Sequence, residues 1–226
     1  MKLGALFSGG KDSTFALYKA MKKDKVACLI SMISENPESY MFHTPNISLV
    51  GLQAEAMGLP LLKASTKGEK EKELKDLERA ILRAKKEYGI GGVVTGAVAS
   101  QYQYERIGKI CRQLGLECLN PLWKKDQVAL LEDLLKSGFK VIISGVFAYP
   151  LGKDWLGREM DRKMIAELAK LQEKYKINPS GEGGEIETTV LDCPLFKKRL
   201  KILEVEKVWR GDSGIFAVRK AELVNK

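Results

Sequence analysis

The sequence is poor in the residues that build zinc and redox sites. It holds four cysteines and a single histidine, and Cys28, Cys111, Cys118 and Cys193 form no C-x-x-C pair. A zinc centre of the usual Cys/His kind lacks its ligands here, and structural disulfides are not expected in a reducing compartment. No run approaches the ~18 apolar residues of a membrane span. The apolar start, Met1 to Phe7, is cut short by Ser8-Gly9-Gly10-Lys11, which is too early for a signal peptide. A cytoplasmic protein without a membrane partner is therefore expected. Internal repeats and low-complexity linkers are also missing, so any two domains should form one rigid body.

What is present is a core and a positive charge. Hydrophobic residues make up 45% of the 226 positions and charged ones 30%, a balance well above that of disordered chains. The length suits one large α/β domain or a domain with a small companion. Lys and Arg number 38 against 29 Asp and Glu, a net charge of +9. An excess of that size suits an anionic partner such as a nucleotide, a nucleic acid or an acidic protein surface. A Lys/Glu-rich surface of the heat-stable kind would produce the same balance.

Short, nearly all-apolar runs alternate with amphipathic stretches through the first half. Leu3–Phe7, Val26–Ile33, Leu61–Lys63, Gly92–Thr95 and Glu117–Leu119 read as buried parallel strands. Helices are predicted over Asp12–Lys22, after the cap-like Thr44-Pro45, over Glu69–Tyr88 and over Ser100–Leu114, the last stopped by Gly115. Beyond Pro121 a helix over Asp126–Lys136, a strand over Lys140–Val146 and a helix from about Arg158 to Tyr175 are predicted. A glycine-rich loop over Asn178–Glu185 and an antiparallel pair, Leu200–Trp209 with Ile215–Leu223, complete the chain. The pattern predicts an α/β fold: a doubly wound, mostly parallel sheet in residues 1–125 and a smaller C-terminal α+β domain in 126–226. Ligands of such sheets lie beyond the carboxyl ends of the strands, which brings the loops after the first, second and fourth strands around one crevice.

Ser8-Gly9-Gly10-Lys11-Asp12-Ser13 carries the chemistry. Adjacent glycines let backbone N–H groups approach an anion, a helix N-terminus adds its own free N–H groups, and Lys11 adds a full charge. Ser8 and Ser13 add hydroxyl donors. The spacing fits neither a Walker A loop nor the dinucleotide G-x-G-x-x-G. The segment resembles the PP-loop of the N-type ATP pyrophosphatases, a HUP/Rossmann-like superfamily. That resemblance implies ATP cleavage to AMP and pyrophosphate with Mg²⁺ on the phosphates, and ATP contacts from Ser8, Gly9, Gly10, Lys11, Asp12 and Ser13.

Other segments narrow the resemblance to the diphthine–ammonia ligases. They are Ser39–Thr44, Gly96–Arg106, Pro121–Gln127, Trp155–Arg158 and, most specifically, Gly181-Glu182-Gly183-Gly184-Glu185-Ile186-Glu187-Thr188 with Leu191-Asp192. The likeness runs from Lys2 to about residue 205. It implies ATP-dependent conversion of the diphthine carboxyl on elongation factor 2 to the amide, through an acyl-adenylate, with ammonium as the nitrogen source. No segment is left for a glutaminase. The alternatives are another PP-loop adenylating enzyme acting on tRNA or a small carboxylate, and a non-catalytic ATP sensor. Nucleic acid is not expected as a partner, and a homo-oligomer stays open.

The remaining candidates follow from placement. Met32, at the end of the second strand, and His43 join the ATP contacts on the resemblance. Gly96 joins them because a missing side chain lets a nucleotide approach the backbone. Gln101, Tyr104 and Arg106 open a helix at the crevice, where Arg106 suits a phosphate or carboxylate. Together with Trp123 and Gln127 they form the candidate substrate contacts. Glu182, Glu185 and Glu187 repel one another unless a cation or donor lies between them, so with Lys11 they are the catalytic candidates. Asp192 is a weaker candidate of the same kind, and no metal ligand is singled out.

Overall fold

The computed structural model describes residues 1–36, 45–69 and 71–226. Five strands make the first sheet: β1 (Lys2–Leu6), β2 (Lys25–Ser34), β3 (Leu61–Thr66), β4 (Gly92–Val94) and β5 (Glu117–Leu119). All its pairings are parallel, in the order β3-β2-β1-β4-β5. The order reverses between β1 and β4, and that is where a doubly wound sheet opens a crevice. Helices α1 (Lys11–Ala20), α2 (Val50–Met57), α3 (Lys72–Tyr88) and α4 (Gln101–Gln113) provide the crossovers.

Several predicted boundaries move for local reasons. The third helix starts at Lys72 rather than Glu69. A short 3₁₀ turn, Ile47–Leu49, precedes α2, and the Thr44 cap lies outside the described residues. Helix α4 is capped by Ser100, whose side chain accepts from Gln103 N, and Gly115 follows it at φ +63° as the predicted stop. In the second half α5 (Gln127–Lys136) is capped by Asp126 as expected. The next helix, α6 (Arg162–Tyr175), begins four residues later than predicted because the Asp161 side chain accepts from Met164 N and fixes its start.

Strands β6 (Lys140–Val146), β7 (Ile186–Asp192), β8 (Arg199–Arg210) and β9 (Ser213–Val224) form a separate antiparallel sheet, ordered β7-β6-β9-β8. The glycine-rich stretch hides β7 from a reading of the sequence. Yet β7 matters most for the site, because its free edge docks on the glycine loop, with Val190 N donating to Gly9 O at 3.0 Å. That docking meets the hydrogen-bonding needs of an edge strand that would otherwise be open.

Two apolar clusters hold the layers together. One continuous core runs from Leu3 and Phe15 through Leu130, Leu131 and Leu134 to Ile143, Val190 and Phe216, so both sheets share it. The other lies under α3 and α4 and joins Ile30, Leu77, Ile81, Ile107 and Cys111. Among the described residues, no helix is long and apolar enough to cross a membrane.

Candidate functional site

A cavity of about 470 Å³ opens at the carboxyl ends of β1, β2 and β4. Its floor is the turn between β1 and α1. Gly9 holds φ at +79°, and a Cβ there would overlap Gln53 Oε1. Only glycine combines that left-handed backbone with so close a neighbour. Gln53 is buried behind the turn, where its Nε2 donates to Gly9 O at 3.0 Å and to Val190 O at 2.9 Å. The first N–H of α1, on Lys11, donates to Thr188 Oγ1 at 3.1 Å. The two sheets thus meet at the turn and hold it rigid.

Lys11 is only 2% exposed. Its Nζ donates to Asp12 Oδ2 at 2.7 Å and to Ser180 O. An ammonium group has three donors, so with two engaged by described residues the third can serve a ligand. Ser8 and Ser13 share a 3.1 Å hydrogen bond between their hydroxyls at the cavity floor. Met32 and Ile30 line the wall from β2, and Gly96 lines it from the β4 side. Gly96 answers a demand inside the protein: a Cβ there would stand 2.7 Å from Ser13 N, against the first turn of α1.

The glycine-rich stretch arches over this floor, and its three glutamates separate into three roles. Glu182 lines the cavity, and its Oε2 accepts from Ala99 N at 2.9 Å and Ser100 N at 3.0 Å. Burial pushes its carboxyl up, and the Ala99 amide works against that rise. Glu185 does not reach the cavity. Its oxygens accept from Asn178 N, Asn178 Nδ2 and Gly183 N at 2.7–2.9 Å, so it ties the loop together. Glu187, on β7, lines the cavity, and its carboxylate makes no hydrogen bond to any described residue. Burial pushes its carboxyl from an ordinary 4.5 up to about 7; nearby Lys11 pulls it down and Asp12 pushes it further up.

Glu187 gives stability a pH dependence of definite sign. Between roughly 4.5 and 7 the folded chain holds a proton that the unfolded chain has released, so stability falls as pH rises through that window and levels off above it. At about 1.4 kcal/mol per pKa unit the loss approaches ~3 kcal/mol, an upper figure because the side chain partly reaches water. Glu187→Gln should remove it. In urea unfolding at pH 8 the variant should be more stable than the parent by roughly 2 kcal/mol, with the gain shrinking toward pH 4.5. A gain of the same size at both pH values would contradict this account.

Helix geometry explains why the candidate substrate residues do not converge. Helix α4 and its cap turn Ser100, Gln103 and Ile107 toward the cavity, at spacings of three and four along one face. Gln101, Tyr104 and Arg106 are outside its lining. Gln101 bonds Glu105, Arg106 pairs with Glu71 at 3.1 Å, and Tyr104 stacks on Trp123 with ring centroids 4.2 Å apart. Gln127 serves the loop instead: its Oε1 accepts from Ser180 N and Oγ, and its Nε2 donates to Asn178 Oδ1. These five residues therefore support or flank the cavity and do not line it. Asp192 closes β7 in an ion pair with Lys226 at 2.6 Å. His43 lies outside the described residues. Gln53, Ser180 and Thr188 were not legible beforehand, because each acts through a partner far away in sequence, and Gln103 reaches the cavity only through the rotation of α4.

A parallel sheet whose switch point carries a glycine–glycine–lysine turn under a polar cavity has the build of a phosphate-binding α/β protein. The chain belongs to the diphthamide synthase family: the model of the diphthamide synthase N-terminal domain matches residues 1–118, and that of the C-terminal domain matches 126–224. The second match runs beyond the stretch read as similar from the sequence. The chain is 35% identical over 237 residues to the diphthine–ammonia ligase of Danio rerio, covering 96% of this chain and 92% of that one. Against the diphthine–ammonia ligase of Homo sapiens it is 32% identical, covering 92% and 85%. With that of Schizosaccharomyces pombe it shares 36% identity, covering 92% of this chain but 37% of a much longer relative. A solved structure described as a predicted subunit of tRNA methyltransferase from Methanocaldococcus jannaschii aligns with 86% of this chain and 98% of that one. Its TM-score of 0.44 and 16% identity are too slight to bear on fold or function.

Proposed function

We propose that the chain amidates diphthine on elongation factor 2, using ATP and ammonium and releasing AMP and pyrophosphate. The observation that carries this reading is the rigid Gly9-Gly10-Lys11 turn at the sheet's switch point, facing a cavity that Glu182 and Glu187 also line. The family placement favours it over a tRNA-directed enzyme or an ATP sensor. A carboxylate resists attack by ammonia, and adenylation installs a good leaving group. The turn's N–H groups and Lys11 would hold the phosphates and stabilise departing pyrophosphate. The apolar wall of Ile30, Met32 and Ile107 suits the flat face of a nucleobase.

Mg²⁺ fits this arrangement. No group of three or more acidic, His or Cys side chains forms a metal cage among the described residues. Such an ion is commonly held by phosphates and one or two carboxylates, and Asp12 Oδ1 is buried without a hydrogen-bond partner among the described residues. Asp12 would therefore hold the ion, whose contribution is to neutralise phosphate charge. Residues 1–125 and 126–226 act in this reading as an ATP-binding domain and a smaller substrate-side domain. The cytoplasm, where translation factors work, is its setting.

The test is incubation with ATP, ammonium and diphthine-bearing elongation factor 2, followed by the mass of the modified peptide. The acid should be replaced by the lighter amide, with one pyrophosphate released per amide. An unchanged peptide mass would defeat the assignment.

A further inference from the structure

Among the described residues three carboxylates share the cavity, and two of them are already engaged. Asp12 is paired with Lys11, and Glu182 is bonded to the amides of Ala99 and Ser100. The Glu187 carboxylate makes no hydrogen bond to any described residue. Its place is well defined. It precedes Thr188, whose hydroxyl receives the first N–H of α1, so it stands beside the turn that would hold the phosphates. Behind it is Gly145 of β6. The position a Cβ would take there lies 2.9 Å from Cζ of Phe147 and 3.0 Å from Cβ of Glu187, so the ring packs beside the glutamate stem. Among the described residues, the charged groups near the carboxylate are Lys11 and Asp12 on α1, with Glu182 of the glycine-rich loop lining the same cavity.

We infer that Glu187 is the catalytic residue that binds ammonium in this cavity and takes one of its protons. The inference rests on the amidation reading above and assigns its second half-reaction. Ammonium has no lone pair to attack with, so it needs an anionic receptor that is also a base. An N–H bond of ammonium breaks and the proton passes to a Glu187 oxygen. The freed lone pair forms the C–N bond to the acyl carbon of the adenylate. The C–O bond to AMP then breaks, its electron pair leaves with AMP, and the surplus proton on nitrogen goes to water. The elevated proton affinity of the buried carboxyl suits a base working near neutral pH.

Hydroxylamine separates this role from adenylation, because at neutral pH it is already mostly unprotonated and needs no base. With ATP and diphthine-bearing elongation factor 2, Glu187→Gln should form amide from ammonium at least ~100-fold more slowly than the parent, while its hydroxamate formation from hydroxylamine stays within about threefold. Glu187→Asp, which keeps the charge but shortens its reach, should recover part of the ammonium reaction. Amide formation by Glu187→Gln within tenfold of the parent would overturn the inference. So would a parallel loss of amide and hydroxamate in both variants, including loss through failure of both to fold. A parent protein that forms neither amide nor hydroxamate removes the amidation reading itself, so the two failures are distinguishable.

Discussion

Replacing Lys11 by methionine should lower pyrophosphate release by about a hundred- to a thousandfold at saturating ATP and ammonium, the usual loss when one pre-placed donor to developing charge is removed. The charge cannot be supplied from elsewhere in the turn, since the neighbouring donors there are neutral hydroxyls and backbone N–H groups. The side chain is 2% exposed and already held by Asp12 and Ser180 O, so its ammonium is aimed before any ligand arrives. Methionine keeps most of the stem but leaves Asp12 partly buried without its cation, a change that costs stability as well. Thermal unfolding should therefore be measured beside the assay. A folded Lys11→Met protein that keeps a tenth or more of parental pyrophosphate release would remove the loop from the chemistry.

Gly9→Ala should be the most damaging single-methyl change in the turn. At φ +79° an alanine is strained by roughly 1–2 kcal/mol. Its Cβ would also displace Gln53, whose amide joins Gly9 O to Val190 O and so links the two sheets. Gly138→Ala is the matched control. Gly138 has nearly the same φ, +80°, but nothing lies within 4 Å of the added carbon. The control should show backbone strain alone, a fall in Tm of roughly 2–8 °C with activity retained. Gly9→Ala should lose at least ~3 kcal/mol, a fall of roughly 6–12 °C, together with ATP turnover. Equal shifts for both variants would show that the Gln53 contact contributes nothing.

The two halves of the chain differed in how much could be read beforehand. In the first, strand and helix follow from local pattern: apolar runs between turns, capping residues, and the two glycines ahead of Lys11. In the second, β7 went unread because it emerges from a glycine-rich stretch and is stabilised by contacts with β6 and with the distant Gly9. At the polar start of α4 the sequence and the fold single out different residues. Composition drew attention to Gln101, Tyr104 and Arg106, whereas the rotation of the helix presents Ser100, Gln103 and Ile107.

By itself, the amino-acid sequence determined the parallel α/β sheet, the phosphate-type turn at its first strand and the family resemblance, because each is written in residues a few positions apart. The tertiary structure alone decided which acids belong to the cavity. Glu182, Glu185 and Glu187 look equivalent in a glycine-rich string, yet one is bonded to the amides of Ala99 and Ser100 ahead of a helix, one ties its own loop, and the carboxylate of the third, near Lys11, takes no hydrogen bond from the described residues. The reason is physical: a carboxylate's role depends on which donors surround it and how much water reaches it, and while Glu185 is surrounded by its own loop, the surroundings of Glu182 and Glu187 come from residues more than 80 and more than 170 positions away.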